Sequence, residues 1–168
     1  MTIETERLLL VPVAEQDIDD IYTHFTAQVT RFMFPAAAKS RDEMAAAVQR
    51  FMEQRANGTD HVYTIRRRTD GEFLGLAGLH DLQNDIPELG IWTKPAAHGH
   101  HYGREAIGGL MDEARDRGLR ALRYPVDRCN IPSRKIPLFY GGRRTVDLLE
   151  VQTPDGRILE EEVYEIPL

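Results

Sequence analysis

The sequence has 168 residues with 27 acidic and 21 basic side chains, a net charge of −6 and one cysteine, Cys129. We expect a single domain over residues 1–168, because this length supports one sizeable core. The acidic balance argues against a nucleic-acid partner, and a lone cysteine excludes an intrachain disulfide and suits a reducing compartment. We find no charged-then-apolar leader and no apolar run of bilayer length, so we expect a cytoplasmic protein without a membrane partner.

The first half of the chain alternates between strand and helix patterns. Apolar residues recur at helical spacing in two segments, and Ser40 with Glu43 gives the Ser-x-x-Glu pattern of a helix start. The pair Asp70-Gly71 is typical of a hairpin turn. The predicted elements are a strand over 3–13, a helix over 15–26, an apolar loop over 32–35, a helix after Ser40, and strands over 62–67 and 72–82.

The second half is organised around a strand over 88–93, a loop over 94–103 and a helix that ends near Gly118. The loop is rich in proline, glycine and small residues, and apolar residues recur at helical spacing after it. The remaining predicted elements are a strand over 121–127, a short helix, and a C-terminal hairpin over 145–152 and 157–166. This order predicts an α/β sheet of mixed direction.

The loop over 94–103 has the features of an anion site. A tight turn into a helix N-terminus exposes backbone N–H groups at the positive end of the helix dipole, where phosphate is the usual ligand. The Walker pattern Gly-Lys-Ser/Thr is absent, and Gly99 and Gly103 do not supply the three glycines of the dinucleotide fingerprint. The loop therefore predicts a phosphate-containing ligand of another kind.

The run from His98 to Ala106 reads His-Gly-His-His-Tyr-Gly-Arg-Glu-Ala. It resembles the acetyl-CoA loop of the GNAT superfamily of N-acetyltransferases, Gln/Arg-x-x-Gly-x-Gly/Ala. The resemblance is strongest to the ribosomal-protein-alanine acetyltransferase branch, where the loop continues Gly-Tyr-Gly/Ala-x-Glu-Ala. The positions that fit are Gly99, Tyr102, Gly103, Glu105 and Ala106. His98 replaces the Gln/Arg of the motif, and His101 replaces its first glycine.

Two flanking segments extend the resemblance over nearly the whole chain. Residues 4–10 resemble the Thr-x-Arg-Leu-x-Leu start of the same branch, and residues 130–133 resemble its Asn-x-x-Ser helix. The resemblance implies the GNAT fold, a mixed and mainly antiparallel sheet that is flanked by helices and splayed at its central strands. It also implies an N-acetyltransferase that uses acetyl-CoA as co-substrate, needs no metal and transfers the acetyl group directly to a primary amine.

The resemblance also assigns the contacts to acetyl-CoA. In this fold the pyrophosphate lies on backbone amides of the loop, and a main-chain N–H near Ile91 polarises the thioester carbonyl while the pantetheine arm pairs like an added strand. Asn130 would hold the pantetheine amide, since its side chain both donates and accepts. The expected cofactor-binding residues are Ile91, Trp92, Thr93, His98, Gly99, His100, His101, Tyr102, Gly103, Arg104, Asn130 and Ser133.

The transfer needs a base, because an alkyl amine is mostly protonated at neutral pH and cannot attack. Glu88 lies at the start of the central strand, shortly before Ile91, and is the expected catalytic base, acting directly or through a water. Asp81 and Asp127, near two other strand ends, are the alternatives.

The thiolate leaving group needs a proton donor. The wider superfamily often has a tyrosine seven residues after the motif asparagine, and Pro137 occupies that position here. Ser133 and Tyr140 are therefore the expected candidates for the catalytic acid. We also expect Pro137 to interrupt the short helix, because proline lacks an N–H and clashes with the preceding turn.

A second hypothesis is an acyl-CoA-binding or regulatory module on the same fold with little or no transferase activity. His101 in a glycine position and Pro137 in the tyrosine position both favour it, since a side chain restricts positive φ and close approach to phosphate. The acceptor stays open between a small-molecule amine and a protein N-terminal amine, and the edge of the C-terminal hairpin would suit a homodimer. The loop histidines are more often exposed polar residues than a metal site.

Overall fold

The computed structural model describes residues 1–168, and its strands form a single eight-stranded sheet. The strands are β1 (Ile3–Glu4), β2 (Leu8–Pro12), β3 (His61–Arg67), β4 (Phe73–His80), β5 (Glu88–Thr93), β6 (Ala121–Asp127), β7 (Arg143–Gln152) and β8 (Ile158–Pro167). The helices are α1 (Ile18–His24), α2 (Ala27–Thr30), α3 (Arg41–Asn57), α4 (Tyr102–Asp116) and α5 (Ile131–Phe139). Across the sheet the strand order is β1-β2-β3-β4-β5-β6-β8-β7.

The sheet opens between its two central strands. All neighbouring strands are antiparallel except β5 and β6, which run parallel and pair only at Glu88 and Arg123. On its other side β5 pairs with β4 along its whole length. Beyond Glu88 one edge of β5 therefore has no strand partner. This confirms the expected mixed, mainly antiparallel sheet that is splayed at its central strands.

Side chains alternate along the strands and build a hydrophobic core on each face of the sheet. On one face, α4 contributes the buried residues Ile107 and Leu110 to the larger core. On the opposite face, Ile21 of α1 and Val48 of α3 belong to a second core with Trp92 of β5. The two sides are named the α4 face and the α1/α3 face below. None of the helices is both long and apolar enough to span a bilayer.

Local sequence signals set the ends of α3. The Ser40 hydroxyl accepts a hydrogen bond from the Glu43 N–H at 3.1 Å, which satisfies one of the free donors of the first turn. At the other end Gly58 has a φ of 70°, the left-handed conformation that glycine adopts without steric cost. The helix start predicted from the Ser-x-x-Glu pattern is confirmed.

The single strand predicted over 3–13 is split into β1 and β2. The Thr5 hydroxyl accepts from the Leu8 N–H at 3.1 Å, so the chain turns between the two strands. The helix predicted over 15–26 begins with a 3₁₀ turn, and α2 is an additional short helix. The prediction that Pro137 interrupts α5 is wrong. The helix continues to Phe139, because proline removes only one intrahelical bond there and Tyr140 N–H still reaches the Ile136 carbonyl at 3.3 Å.

Candidate active site

The loop that enters α4 presents a row of unpaired backbone donors. None of the N–H groups from Gly99 to Arg104 donates to an acceptor in the protein, and the first intrahelical bond is made by Glu105 to the His101 carbonyl. Gly99 (φ 85°) and His101 (φ 60°) both adopt the left-handed conformation that turns the chain into the helix. The free N–H groups and the N-terminus of α4 form a row of donors of the kind that can hold an anion, which we call the backbone cradle.

A clasp between the N-terminal segment and α4 holds this cradle in place. The Glu105 carboxylate accepts from Thr5 Oγ1 at 2.6 Å, from Arg7 N at 2.7 Å and from Arg7 Nε at 2.7 Å. Arg7 Nη2 also donates to the His100 carbonyl, inside the cradle, at 3.0 Å. Burial raises the pKa of Glu105, but the bonds from Thr5 and Arg7 outweigh it and the pKa lies below its ordinary value.

The histidines of the loop have different surroundings. The His98 ring Nε2 lies 3.0 Å from the Thr93 carbonyl, so this side chain ties the loop back to β5. The His100 ring stacks on Tyr102 with a centroid distance of 5.4 Å. The His101 side chain is exposed and forms no hydrogen bond with the protein. Of the three, His101 has neither a hydrogen bond nor a stacking partner in the protein, which leaves its imidazole free to contact a ligand in the cradle.

Backbone groups of β5 face the gap between β5 and β6. Just after β5, the Lys94 N–H donates to the carbonyl of Leu74 in β4. Along a strand, the N–H groups of successive residues point to alternate sides. The N–H and C=O of Ile91 therefore point away from β4, toward the open edge. The Trp92 side chain, by contrast, is buried in the core on the α1/α3 face. The expected backbone roles of Ile91 and Thr93 are compatible with this arrangement, because both residues face the gap. Trp92 is different: its backbone pairs with Leu76 of β4 and its side chain is buried, so it has no free group for a ligand.

Across the gap, Asn130 and Ser133 lie at the start of α5. Asn130 caps the helix by accepting from Ser133 N at 3.4 Å, a long bond. Ser133 Oγ lies 2.7 Å from the hydroxyl of Tyr124, and burial raises the pKa of that tyrosine above its ordinary value. Ser133 thus sits in a short chain of two hydroxyls that can pass a proton.

Tyr140, the other acid candidate, has its hydroxyl engaged elsewhere. It donates to the Arg104 carbonyl at 2.7 Å and holds α5 against α4. A methyl group at position 108 would lie only 2.6 Å from the Tyr140 hydroxyl oxygen, so Gly108 leaves the space that this hydroxyl occupies. Burial raises the pKa of Tyr140. The geometry therefore favours Ser133 over Tyr140 as proton donor.

The carboxylates proposed as base are not equivalent. Asp127 accepts from the backbone N–H groups of Cys129 and Glu160, at 2.8 and 3.1 Å, and so stabilises the turn after β6. Glu88 Oε2 accepts from Arg123 Nη1 at 3.0 Å, and its other carboxylate oxygen has no partner. Burial raises the pKa of Glu88 against the opposing charge of Arg123. Glu88 lies where the gap closes and is the better-placed carboxylate.

The sequence patterns did not point to a histidine–carboxylate pair beside Glu88. His80, at the end of β4, is paired directly opposite Glu88 in the sheet, and its Nδ1 lies 2.9 Å from Asp60 Oδ1. The only local signal was the presence of Gly78 and Gly90 within strands. Both glycines lie under the His80 ring, which no pattern along the chain could reveal.

The sequence matches the acetyltransferase (GNAT) domain family over residues 7–143. No curated protein matches it. Among solved structures, the fold is similar to RimL, an α-N-acetyltransferase of a ribosomal protein, with a TM-score of 0.88 and 15% identity over 100% of this chain and 94% of that chain.

Two further solved structures have the same fold. One is a Salmonella typhimurium acetyltransferase that modifies the N-terminal serine of a 50S ribosomal subunit protein, with a TM-score of 0.84 and 15% identity over 100% of this chain and 99% of that chain. The other is the microcin self-immunity acetyltransferase MccE in complex with acetyl-CoA and AMP, with a TM-score of 0.86 and 16% identity over 98% of this chain and 94% of that chain. At such identities these likenesses show the fold alone.

Proposed function

Because this chain belongs to the GNAT acetyltransferase family, we propose that it transfers the acetyl group of acetyl-CoA directly to a primary amine. The observation that carries the proposal is the backbone cradle from Gly99 to Arg104, which opens beside the gap between β5 and β6. A cradle of free N–H groups binds a pyrophosphate, and an open strand edge binds an extended amide-containing arm. Acetyl-CoA contains both in the required order.

The residues present fit acetyl-CoA as the acetyl donor. The N–H groups of the cradle would hold the pyrophosphate, with His101 as a side-chain donor beside them. An open cavity of about 410 Å³ adjoins the cradle, and its charged lining residues are Arg7, Arg104, Glu6 and Glu105. Arg7 is paired with Glu105, so Arg104 is the cation of this cavity that is available to a further phosphate. The open edge of β5 at Ile91 and the amide of Asn130 would hold the pantetheine arm. Bound acetyl-CoA supplies an activated thioester.

The chain's residues supply the rest of the chemistry. The Ile91 N–H would stabilise the charge that develops on the carbonyl oxygen as the amine attacks. Ser133, coupled to Tyr124, would give a proton to the departing sulfur. The amine has to lose a proton before it attacks. We propose that this happens at the narrow end of the gap and that the Glu88 carboxylate belongs to the site that accepts the proton.

The acceptor that these features support is a primary amine that carries a positive charge before reaction. The α1/α3 side of the gap carries the carboxylates of Glu88 and Glu161, and the net charge of the whole chain is −6. A negative field attracts an ammonium group. A protein N-terminus, with an α-amino pKa of about 7.7 to 8.0, is also far easier to deprotonate than a lysine amine. We therefore propose a protein N-terminal amine first, and a small cationic amine second.

A panel of amines tests the proposal through release of the CoA thiol. It contains tripeptide amides with free N-terminal serine or alanine, spermidine, and free amino acids, each incubated with the protein and acetyl-CoA. Thiol release that depends on one of these amines supports acetyl transfer. If acetyl-CoA raises the melting temperature but no amine accelerates thiol release, the proposal fails and a binding or regulatory module is the better description.

A further inference from the structure

His80 and Asp60 form a pair on the α1/α3 face of the sheet, at the narrow end of the gap. His80 Nδ1 lies 2.9 Å from Asp60 Oδ1, and the side chains are 34% and 10% exposed. Because a carboxylate accepts hydrogen bonds, it holds the proton on Nδ1 and leaves the lone pair on Nε2. The pair therefore has a fixed tautomer, with its basic nitrogen on the far side of the ring from Asp60.

Two glycines give the imidazole its position. A Cβ atom would lie 2.6 Å from His80 Nε2 at Gly78, and 2.9 Å from it at Gly90, closer than real Cβ contacts allow. The Nε2 end of the ring therefore lies over the backbone of Gly78 in its own strand and of Gly90 in β5. Any side chain at Gly78 or Gly90 would displace it.

This position directs Nε2 toward the reacting region. Gly90 immediately precedes Ile91, whose N–H faces the gap, and β5 loses its β6 partner just beyond Glu88. His80 stands at the closed end of the gap, and its ring reaches back toward the open part. The imidazole is on the face opposite α4, so an amine can approach it without crossing the helix that carries the phosphate cradle.

The charged groups around the ring suit a transient positive charge. Asp60 bonds to Nδ1, Glu88 lies directly opposite on β5, and Asp81 follows His80 in the chain. Arg123 of β6 is a nearby cation, and it forms an ion pair with Glu88 at 3.0 Å. Glu161 of β8 is close enough to interact electrostatically with both Glu88 and Arg123. An imidazolium at His80 is thus surrounded mainly by carboxylates.

We propose that His80, oriented by Asp60, is the group that accepts the proton of the acceptor amine, while Glu88 stabilises the resulting imidazolium. This inference rests on the proposed acetyl transfer and identifies the proton acceptor at that site. Asp60 orients the imidazole and leaves its Nε2 lone pair free, whereas the Glu88 carboxylate already accepts from Arg123 Nη1 at 3.0 Å.

The proton balance is complete with groups of the site and water. His80 Nε2 takes one proton from the ammonium and releases it to solvent. The freed lone pair attacks the thioester carbon, the C–N bond forms and the C–S bond breaks with its electron pair on sulfur. The sulfur takes a proton from Ser133 Oγ, which regains one from the acylated nitrogen through water. Thioester and ammonium thus yield amide, thiol and one proton.

The test compares His80→Gln and Asp60→Asn with His61→Gln as matched control. His61 also pairs with a carboxylate, Glu113 Oε1 at 2.9 Å, but from the α4 face of the sheet. With the best acceptor of the panel, His80→Gln should lower kcat by about 10² to 10⁴ and leave acetyl-CoA affinity unchanged. The remaining rate should rise with pH, as free amine becomes abundant. Asp60→Asn should lower kcat in the same way, and His61→Gln should keep both kcat and its pH profile.

The outcomes separate this inference from the acetyl transfer itself. Acetyl-CoA affinity and the melting temperature are measured for every variant, so that a folding defect is recognised. If His80→Gln retains kcat and the pH profile of the wild type, His80 is not the base although the enzyme transfers acetyl groups. If Glu88→Gln removes the acid limb of the profile and His80→Gln does not, the base is Glu88. If no amine of the panel is acetylated, the proposed function fails and the inference with it.

Discussion

The clasp at Glu105 allows the effect of a single substitution to be worked out from the structure. Glu105→Gln keeps the length of the side chain but removes its charge. The carboxylate accepts three hydrogen bonds, from Thr5 Oγ1 and from N and Nε of Arg7, between 2.6 and 2.7 Å. Bonds to charged groups contribute about 1.5 to 3 kcal/mol each, and neutral ones about 0.5 to 1.5 kcal/mol.

The amide oxygen of glutamine can still accept the two bonds made to Oε1, whereas its NH2 group cannot accept from Arg7 Nε, so the change should cost about 1 kcal/mol for each bond. Arg7 is 42% exposed, so its ion pair lies at the low end of that range. We expect the free energy of unfolding to fall by about 2 kcal/mol at pH 7, measured by urea denaturation. Glu6→Gln is the matched control, because Glu6 is exposed next to the clasp and its side chain makes no hydrogen bond.

The same clasp predicts a pH dependence. The pKa of Glu105 is lowered in the folded protein, so its contribution to stability is fully present above the unfolded value, about 4.3. It is lost as the pH falls through the lower folded pKa. The stability difference between wild type and Glu105→Gln should thus shrink in acid. A difference below about 0.5 kcal/mol at neutral pH, within the usual effect of surface substitutions, would refute the reasoning.

Substitutions at three further positions test the site. Gly103→Val should weaken acetyl-CoA binding and destabilise the protein by about 1 to 3 kcal/mol. Gly103→Ala should be tolerated, because a Cβ there lies 3.6 Å from Ile91 Cγ1 and 3.7 Å from Ile136 Cδ1, which are ordinary contact distances. Equal calorimetric affinities of the two variants for acetyl-CoA would contradict this. Glu88→Gln should lower kcat and leave acetyl-CoA affinity unchanged, and wild-type turnover would reduce Glu88 to a strand-end carboxylate. His101→Gly removes a free imidazole and should weaken acetyl-CoA binding about tenfold or more; tighter binding by the variant would make His101 an obstruction.

Much of the fold followed from local patterns. The strands over 88–93 and 121–127 have the predicted bounds, because their apolar residues and the turn residues around them are compatible only with the periodicity of a strand. The short stretch around Thr5 was different. Its residues are compatible with a continuous strand, and only the bonds to Glu105, about a hundred residues away, show why the chain turns there. Thr5 and Arg7 of the N-terminal motif and Glu105 of the loop motif therefore form a single contact.

The site could be predicted only where its geometry is local. The free N–H groups from Gly99 to Arg104 belong to a continuous turn, and a turn into a helix can be recognised from sequence. The His80 site depends on the register between β4 and β5, which brings Gly90 beneath a ring ten residues earlier in the chain. Strand register is a tertiary property, so neither glycine had a visible function in the sequence.

Mass spectrometry of the amine after incubation with acetyl-CoA tests the central claim most directly. The acceptor peptides and polyamine of the panel are incubated with the protein at neutral pH, with the Gly103→Val variant and a protein-free mixture as controls. Our account predicts an acetylated amine that forms in proportion to the CoA thiol released, and far less of it with the variant. Saturable acetyl-CoA binding by the cradle with no acetylated amine above the protein-free mixture would contradict it.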